Sequence, residues 1–232
     1  MQTTAHKFTA IQGFESTDYA YFEGRIVWVG DDAAVRHPRN YWNPWQPSTK
    51  TYSAALLQAG ARLCLKQMEA SESPNGLLAW LTNRELAFPL HHGKARFDAV
   101  QSALQAKDIK SFEAAALRVI GLGQGLTPSG DDLLGGIFLA LAHRPHPKWL
   151  LGLPALQANL EKACEASTNP ISAALLANNM AGVSFGELHD MLDALESNDS
   201  RHIENSREAL LSLGSSSGSD LLAGLLLALT TI

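Results

Sequence analysis

The spacing of hydrophobic positions changes character near residue 95. Before it, short apolar runs alternate or break at turn residues. Tyr19-Ala-Tyr-Phe22 and Arg25-Ile-Val-Trp-Val29 flank Glu23-Gly24, two β-rich segments around a two-residue turn, which predicts a hairpin. Residues 8–14 predict a preceding strand. Residues 37–47 hold three prolines with Trp42 and Trp45, a loop with apolar anchors. Residues 51–57 and 61–67 fit either element; Gly60 divides them, and the alternation Tyr52, Ala54, Leu56 favours strands. Residues 71–76 read as a turn cluster. From Phe97 onward Ala, Leu, Glu and Gln dominate, and helical spacing predicts helices over 97–105, 109–120, 133–142, 155–166, 170–181, 186–195, 207–213 and 221–229. The expected class is α+β: a β-rich N-terminal part (1–95) packed on a helical part (96–232).

The most informative stretch is Gly121-Leu-Gly-Gln-Gly-Leu-Thr-Pro-Ser-Gly-Asp-Asp132. Glycines at 121, 123 and 125 exclude a helix and allow close approach of backbone to a ligand. Two helix starts then compete: Thr127 as cap with Pro128 at the first turn, or Ser129-x-x-Asp132 as a capping box. Either puts a glycine loop before free helix N–H groups, an anion-binding geometry. The pattern returns eighty-eight residues later. Residues 129–141 match 217–229 at nine of thirteen positions, including Ser129/Ser217, Gly130/Gly218, Asp132/Asp220 and Gly136/Gly224. Two capped helices with small-residue faces are therefore expected side by side, their starts converging. Asp131 has no acidic counterpart, since Ser219 stands there. Asp131 is thus the catalytic candidate and Asp132 the capping acid. Thr168-Asn-Pro-Ile-Ser172 is a third helix start, capped by Thr168 or Asn169, with Ser172 one turn on.

Composition narrows the function classes. The chain has 232 residues, 46% of them hydrophobic and 18% charged, enough for a sizeable core. A net charge of −5 argues against a nucleic-acid binder built on a basic surface. Cys64 and Cys164 are far apart in apolar stretches, so buried free thiols are expected rather than a disulfide or zinc site. The longest apolar runs are about half of the roughly 20 residues a membrane helix needs. The N-terminus carries no apolar signal core, so a cytoplasmic protein is expected. His143-x-x-His146 lies in a proline-bearing loop without carboxylates, and no metal site is expected there. Trp28, Trp42 and Trp45 read as core and loop anchors, and no Walker A loop or GxGxxG follows a strand.

The glycine motif, followed by residues 168–172 and 214–224, resembles the AllH-like family, named for a subunit of oxamate carbamoyltransferase. The resemblance runs from about residue 8 to the end, more loosely over the first hundred residues. Gln124 stands where the family usually has proline, and Ser219 where it commonly has a larger residue. The resemblance implies carbamoyl transfer between phosphate and a small amide acid, oxalurate plus phosphate giving oxamate plus carbamoyl phosphate, with partner subunits. On that reading Asp131, Ser129 and Thr127 serve the chemistry. Gly123, Gly125, Gly130, Asp132, Thr168, Ser172, Ser217, Gly218 and Asp220 bind the small anion. No cofactor is expected. Three alternatives stay open: a non-catalytic anion-binding subunit, a phosphotransferase holding magnesium on Asp131, and a plain interaction module.

Overall fold

A computed structural model describes residues 8–14, 17–30, 35–47, 50–69 and 75–232. The N-terminal sheet has three antiparallel strands, β1 (Thr9–Ala10), β2 (Tyr19–Phe22) and β3 (Arg25–Trp28), in sequence order. Phe22 pairs with Arg25 and Tyr19 with Trp28. Glu23 and Gly24 both take positive φ, 49° and 76°, the turn that matches the strands' twist. The predicted strand over 8–14 is reduced to β1, and the chain turns at Gly13 with φ 81°. The hairpin is seated by its own apolar cluster: Ile11 and Ile26 pack on Ile171 and Leu175, with Leu126 and Phe185 at the edge.

Among the described residues, ten α-helices follow. α1 is Ala54–Glu69, α2 Gly76–Leu81, α3 Lys94–Ala106, α4 Ile109–Leu117 and α5 Ser129–Ala142. α6 is Leu153–Ser167, α7 Pro170–Met180, α8 Gly186–Ser197, α9 Ser200–Leu211 and α10 Ser217–Thr231. The fold is α+β, a small sheet against a helical body. Two sequence expectations fail before residue 95. Residues 54–69 form one helix, not strands, because the buried positions Leu57, Gly60, Ala61, Cys64 and Met68 follow a helical period. Leu56, which supplied the alternation, is exposed. Gly60 does not break this helix: a β-carbon there would collide with the carbonyl of Leu195, so glycine lets α1 cross α8 closely. Gly76, expected in a turn, opens α2; residues 71–74 of that turn lie outside the described residues. The sheet ends at Trp28, so the β-rich character occupies only the start of the 1–95 segment.

The main core surrounds α5 and α10, which are buried over nearly their whole length. α7 and α2 cover α5, while α1, α2 and α9 cover α10. α9 begins seven residues before its predicted start; Asp199 caps it by accepting from the His202 N–H at 2.7 Å. Its core face, Ile203, Ser206, Arg207 and Leu210, is too polar to show in the hydrophobic pattern. Cys64 and Cys164 are free and buried. Among the described residues, no helix is long and apolar enough to cross a membrane.

Candidate functional site

The repeated helices pack through their glycines. A β-carbon on Gly136 would collide with the Leu221 carbonyl, and one on Gly224 with the Leu133 carbonyl. These contacts exchange under the sequence repeat, since Leu133 corresponds to Leu221 and Gly136 to Gly224. The pair therefore has approximate twofold symmetry. Gly130 lies against the Val119 carbonyl and Gly218 against that of Leu210, so each helix start abuts the chain before it in the same way. The arrangement puts both starts at one end, where the Thr127 and Ser217 hydroxyl oxygens stand 2.6 Å apart.

A cavity of about 310 Å³ opens between them. One wall is the glycine loop, Gln124 to Thr127; the facing wall is its counterpart, Leu213 to Ser217. Leu175, Phe185 and Leu221 supply apolar surface, β2 contributes Tyr19, and Asp132 is the acid on the lining. Several helix-start N–H groups are already used: Gly130 donates to Leu122 O at 2.8 Å and Gly218 to Leu213 O at 3.1 Å. Among the described residues, the N–H groups of 123–127 and 214–217 donate to no group of the chain. They are unsatisfied donors at the positive ends of two helix dipoles. Among the described residues, no Lys or Arg lines the cavity.

Neither predicted cap of α5 forms. The helix starts at Ser129 behind Pro128, with no side-chain cap, because both capping residues are engaged elsewhere. The Thr127 hydroxyl meets Ser217, and the Ser129 hydroxyl faces Asp220. The third start caps through Asn169, whose Oδ1 accepts from the Ile171 and Ser172 N–H groups, both at 3.0 Å.

The two neighbouring acids are placed differently from each other. Asp131 does not line the cavity. Its carboxylate accepts from the Gly121 N–H at 2.7 Å, the Thr168 hydroxyl at 2.5 Å and the Ser172 hydroxyl at 2.6 Å. It ties the glycine loop to the start of α7, with both of its oxygens engaged. Burial raises its pKa, opposed by the two hydroxyls and the Gly121 N–H. Asp132 is the acid that reaches the cavity. It is only 7% exposed, its Oδ2 has no hydrogen-bond partner, and the hydroxyls of Thr127 and Ser217 lie beside the carboxyl. Burial first, and then the nearby Asp220 charge, hold its pKa well above the ordinary carboxylate value. Asp220 accepts from the Leu77 N–H at 2.6 Å, and burial pushes its pKa up to about 6.

Of the residues singled out in the sequence, Gly125, Thr127, Asp132 and Ser217 line the cavity, and Gly123 adjoins it in the loop. Asp131, Thr168 and Ser172 form the clamp behind it. Gly130 and Gly218 are close-packing glycines whose N–H groups are spent, and Ser129 and Asp220 are buried beneath the lining. Sequence reasoning missed Tyr19, Leu175 and Phe185, which carry only ordinary strand and helix signals. Among the described residues, no group of three or more His, Cys, Asp or Glu side chains is placed to hold a metal ion.

Residues 119–229 match the family model of oxamate carbamoyltransferase subunit AllH. The AllH match takes in the glycine loop, the clamp, both repeated helices and every cavity residue except Tyr19. It agrees with the resemblance read from residues 121–132, 168–172 and 214–224. No curated protein and no solved structure matches the chain.

Proposed function

We propose that this chain is a component of a carbamoyltransferase, and that the cavity between α5 and α10 binds its small anionic substrate. The observation carrying the reading is the convergence of two glycine- and serine-rich helix starts on one cavity, with unsatisfied N–H groups on both walls. On this proposal, which the AllH match supports at the level of a carbamoyltransferase subunit, the anion is an oxamate-like acid, phosphate or carbamoyl phosphate. In the transfer, a phosphate oxygen forms a bond to the carbamoyl carbon of an N-carbamoyl amide acid. The C–N bond breaks, and the departing amide nitrogen takes a proton. The N–H groups of 123–127 and 214–217, with the one O–H of the Thr127–Ser217 pair that is not spent on the other hydroxyl, are donors suited to the negative oxygen that develops. Asp132, rather than Asp131, is the acid within reach of a ligand.

A second reading, a chain that binds the anion while partner subunits complete the site, draws on the cavity's lack of Lys and Arg. Phosphate and carbamoyl phosphate carry charge that this lining leaves unneutralised. Thermal unfolding with oxamate, phosphate and carbamoyl phosphate tests the anion site. A ligand at one hundred times its Kd stabilises by about 2.7 kcal/mol, a Tm rise of roughly 5–11 °C at this chain length. The rise is expected in the wild-type chain and lost in Thr127→Val and Ser217→Ala. No rise with any of the three anions would remove the anion site from this chain.

A further inference from the structure

We propose that the anion enters this cavity only against a protonated Asp132, whose carboxyl donates a hydrogen bond to the ligand's anionic oxygen. The inference rests on the anion-site reading above and adds the condition under which the site is open. Asp132 lines the cavity and is 7% exposed, and its Oδ2 is buried without a hydrogen-bond partner. An ionised carboxylate there would repel any anion held by the loop N–H groups, and no cation on the lining offsets it. With a proton, the carboxyl becomes a donor beside the loop N–H groups and the one O–H of the Thr127–Ser217 pair that is not spent on the other hydroxyl.

The neighbours keep the proton on Asp132. On its own helix, the Asp131 oxygens accept from three donors. From α10, Asp220 faces it and has one oxygen anchored on the Leu77 N–H. α7 and α2, packed on the same helix, carry no titratable residue. From β2, the Tyr19 phenol faces Asp132, with Arg39 behind it. Among the described residues, two further acids and one phenol thus surround the group, and Arg39 neighbours that phenol. No bond other than O–H is made or broken: solvent supplies the proton, and the carboxyl shares it with the ligand.

Calorimetric titration of the purified chain with oxamate between pH 6.5 and 9.5 tests this, since the oxamate carboxylate stays ionised throughout. The affinity should fall about tenfold per pH unit above the Asp132 titration in wild type. In Asp132→Asn, whose amide also donates, it should vary by less than about twofold. Infrared difference spectra of wild-type protein with and without oxamate give a reading independent of any variant: the carbonyl band of a protonated carboxyl should be present in the complex. A parallel series with phosphate separates a carboxylate site from a phosphate site. Binding that is flat with pH in both proteins, with no protonated-carboxyl band, would overturn the proposal while leaving the anion site intact. Binding of neither anion at any pH would overturn the site itself and this inference with it.

Discussion

Thr127 and Ser217 hold their hydroxyl oxygens 2.6 Å apart across the approximate twofold axis of the helical body. They are not repeat mates: Ser217 corresponds to Ser129, which is buried beneath. The offset has a cause in chain length. Val119 to Gly130 is three residues longer than Leu210 to Gly218, although each pair makes the same backbone contact. The surplus is accommodated in the glycine loop, which bulges and carries Thr127 to the axis. Symmetric packing holds the two helices, and the asymmetric insertion makes the cavity between their starts. Structure and candidate chemistry thus lie on different residues of one motif.

The packing half of that division predicts that Gly136→Ala and Gly224→Ala are costly. Each β-carbon meets a backbone carbonyl, which cannot rotate aside. Overpacking of this kind costs about 1–3 kcal/mol, readable as a lower urea midpoint with an unchanged slope. At Gly125 a β-carbon meets nothing within 4 Å, but φ is 94°. Gly125→Ala should lose roughly 1–2 kcal/mol through the backbone alone.

Asp131→Asn should act on stability before it acts on binding. An amide offers one acceptor oxygen where the carboxylate serves the Gly121 N–H and the hydroxyls of Thr168 and Ser172. Leaving a buried donor unmet costs about 1–3 kcal/mol. Chemical denaturation should show that loss, while oxamate affinity at a temperature where the variant is folded changes less than twofold. A large affinity loss with full stability would return Asp131 to the chemistry.

How far the sequence could be read depended on which physical signal each residue carried. The hairpin was legible because Glu23-Gly24 is a turn with a geometric requirement. The α5–α10 pair was legible because close helix packing needs Gly136 and Gly224 at matched positions. α1 was misread because three alternating residues before Leu57 outweighed a helical face built from Gly60, Ala61 and Cys64, which are small and weakly hydrophobic. Asp131 and Asp132 were assigned by elimination from the repeat. Their roles depend on where α7 falls, and nothing within residues 121–132 shows that Thr168 and Ser172 will reach back to Asp131. Tyr19 reaches the cavity only because the hairpin docks on α7, a contact made by Ile26 and Ile171 far apart in sequence.

Stability should fall toward both acid and alkaline pH, for separate reasons. His37 and His189 are buried, which lowers their pKa values to about 3 and about 4. A histidine depressed in the folded state contributes stability above its unfolded value near 6.5, lost as pH falls toward the folded one. Asp220 has the opposite sign. Its folded pKa of about 6 lies above the unfolded value, so its contribution is full below about pH 4 and is lost as pH rises through 6. That loss is roughly 2–3 kcal/mol. Denaturation midpoints from pH 4 to 8 should flatten on the acid side in His189→Gln and on the alkaline side in Asp220→Asn. Unchanged curves would show that these groups titrate alike in both states.

The last prediction concerns Tyr19, which lies outside the AllH match yet lines the cavity. Burial is the main reason its phenol pKa is pushed up to about 12, so the hydroxyl keeps its proton over the working range and is a donor. Its ring packs against the Ile11–Ile171 cluster that seats the hairpin. Tyr19→Phe keeps that packing and removes only the hydroxyl, so the melting temperature without ligand should stay within a degree or two. A hydrogen bond to a charged group is worth about 1.5–3 kcal/mol, so oxamate affinity should fall roughly 10- to 150-fold. Tyr19→Ala should lose the same hydroxyl and also loosen the hairpin, lowering stability as well as affinity. If Tyr19→Phe binds oxamate as tightly as wild type while Tyr19→Ala does not, the ring is a wall of the cavity and the hydroxyl takes no part in recognition. If both bind normally, the hairpin is separate from the site, and the ligand contacts lie within the helical body alone.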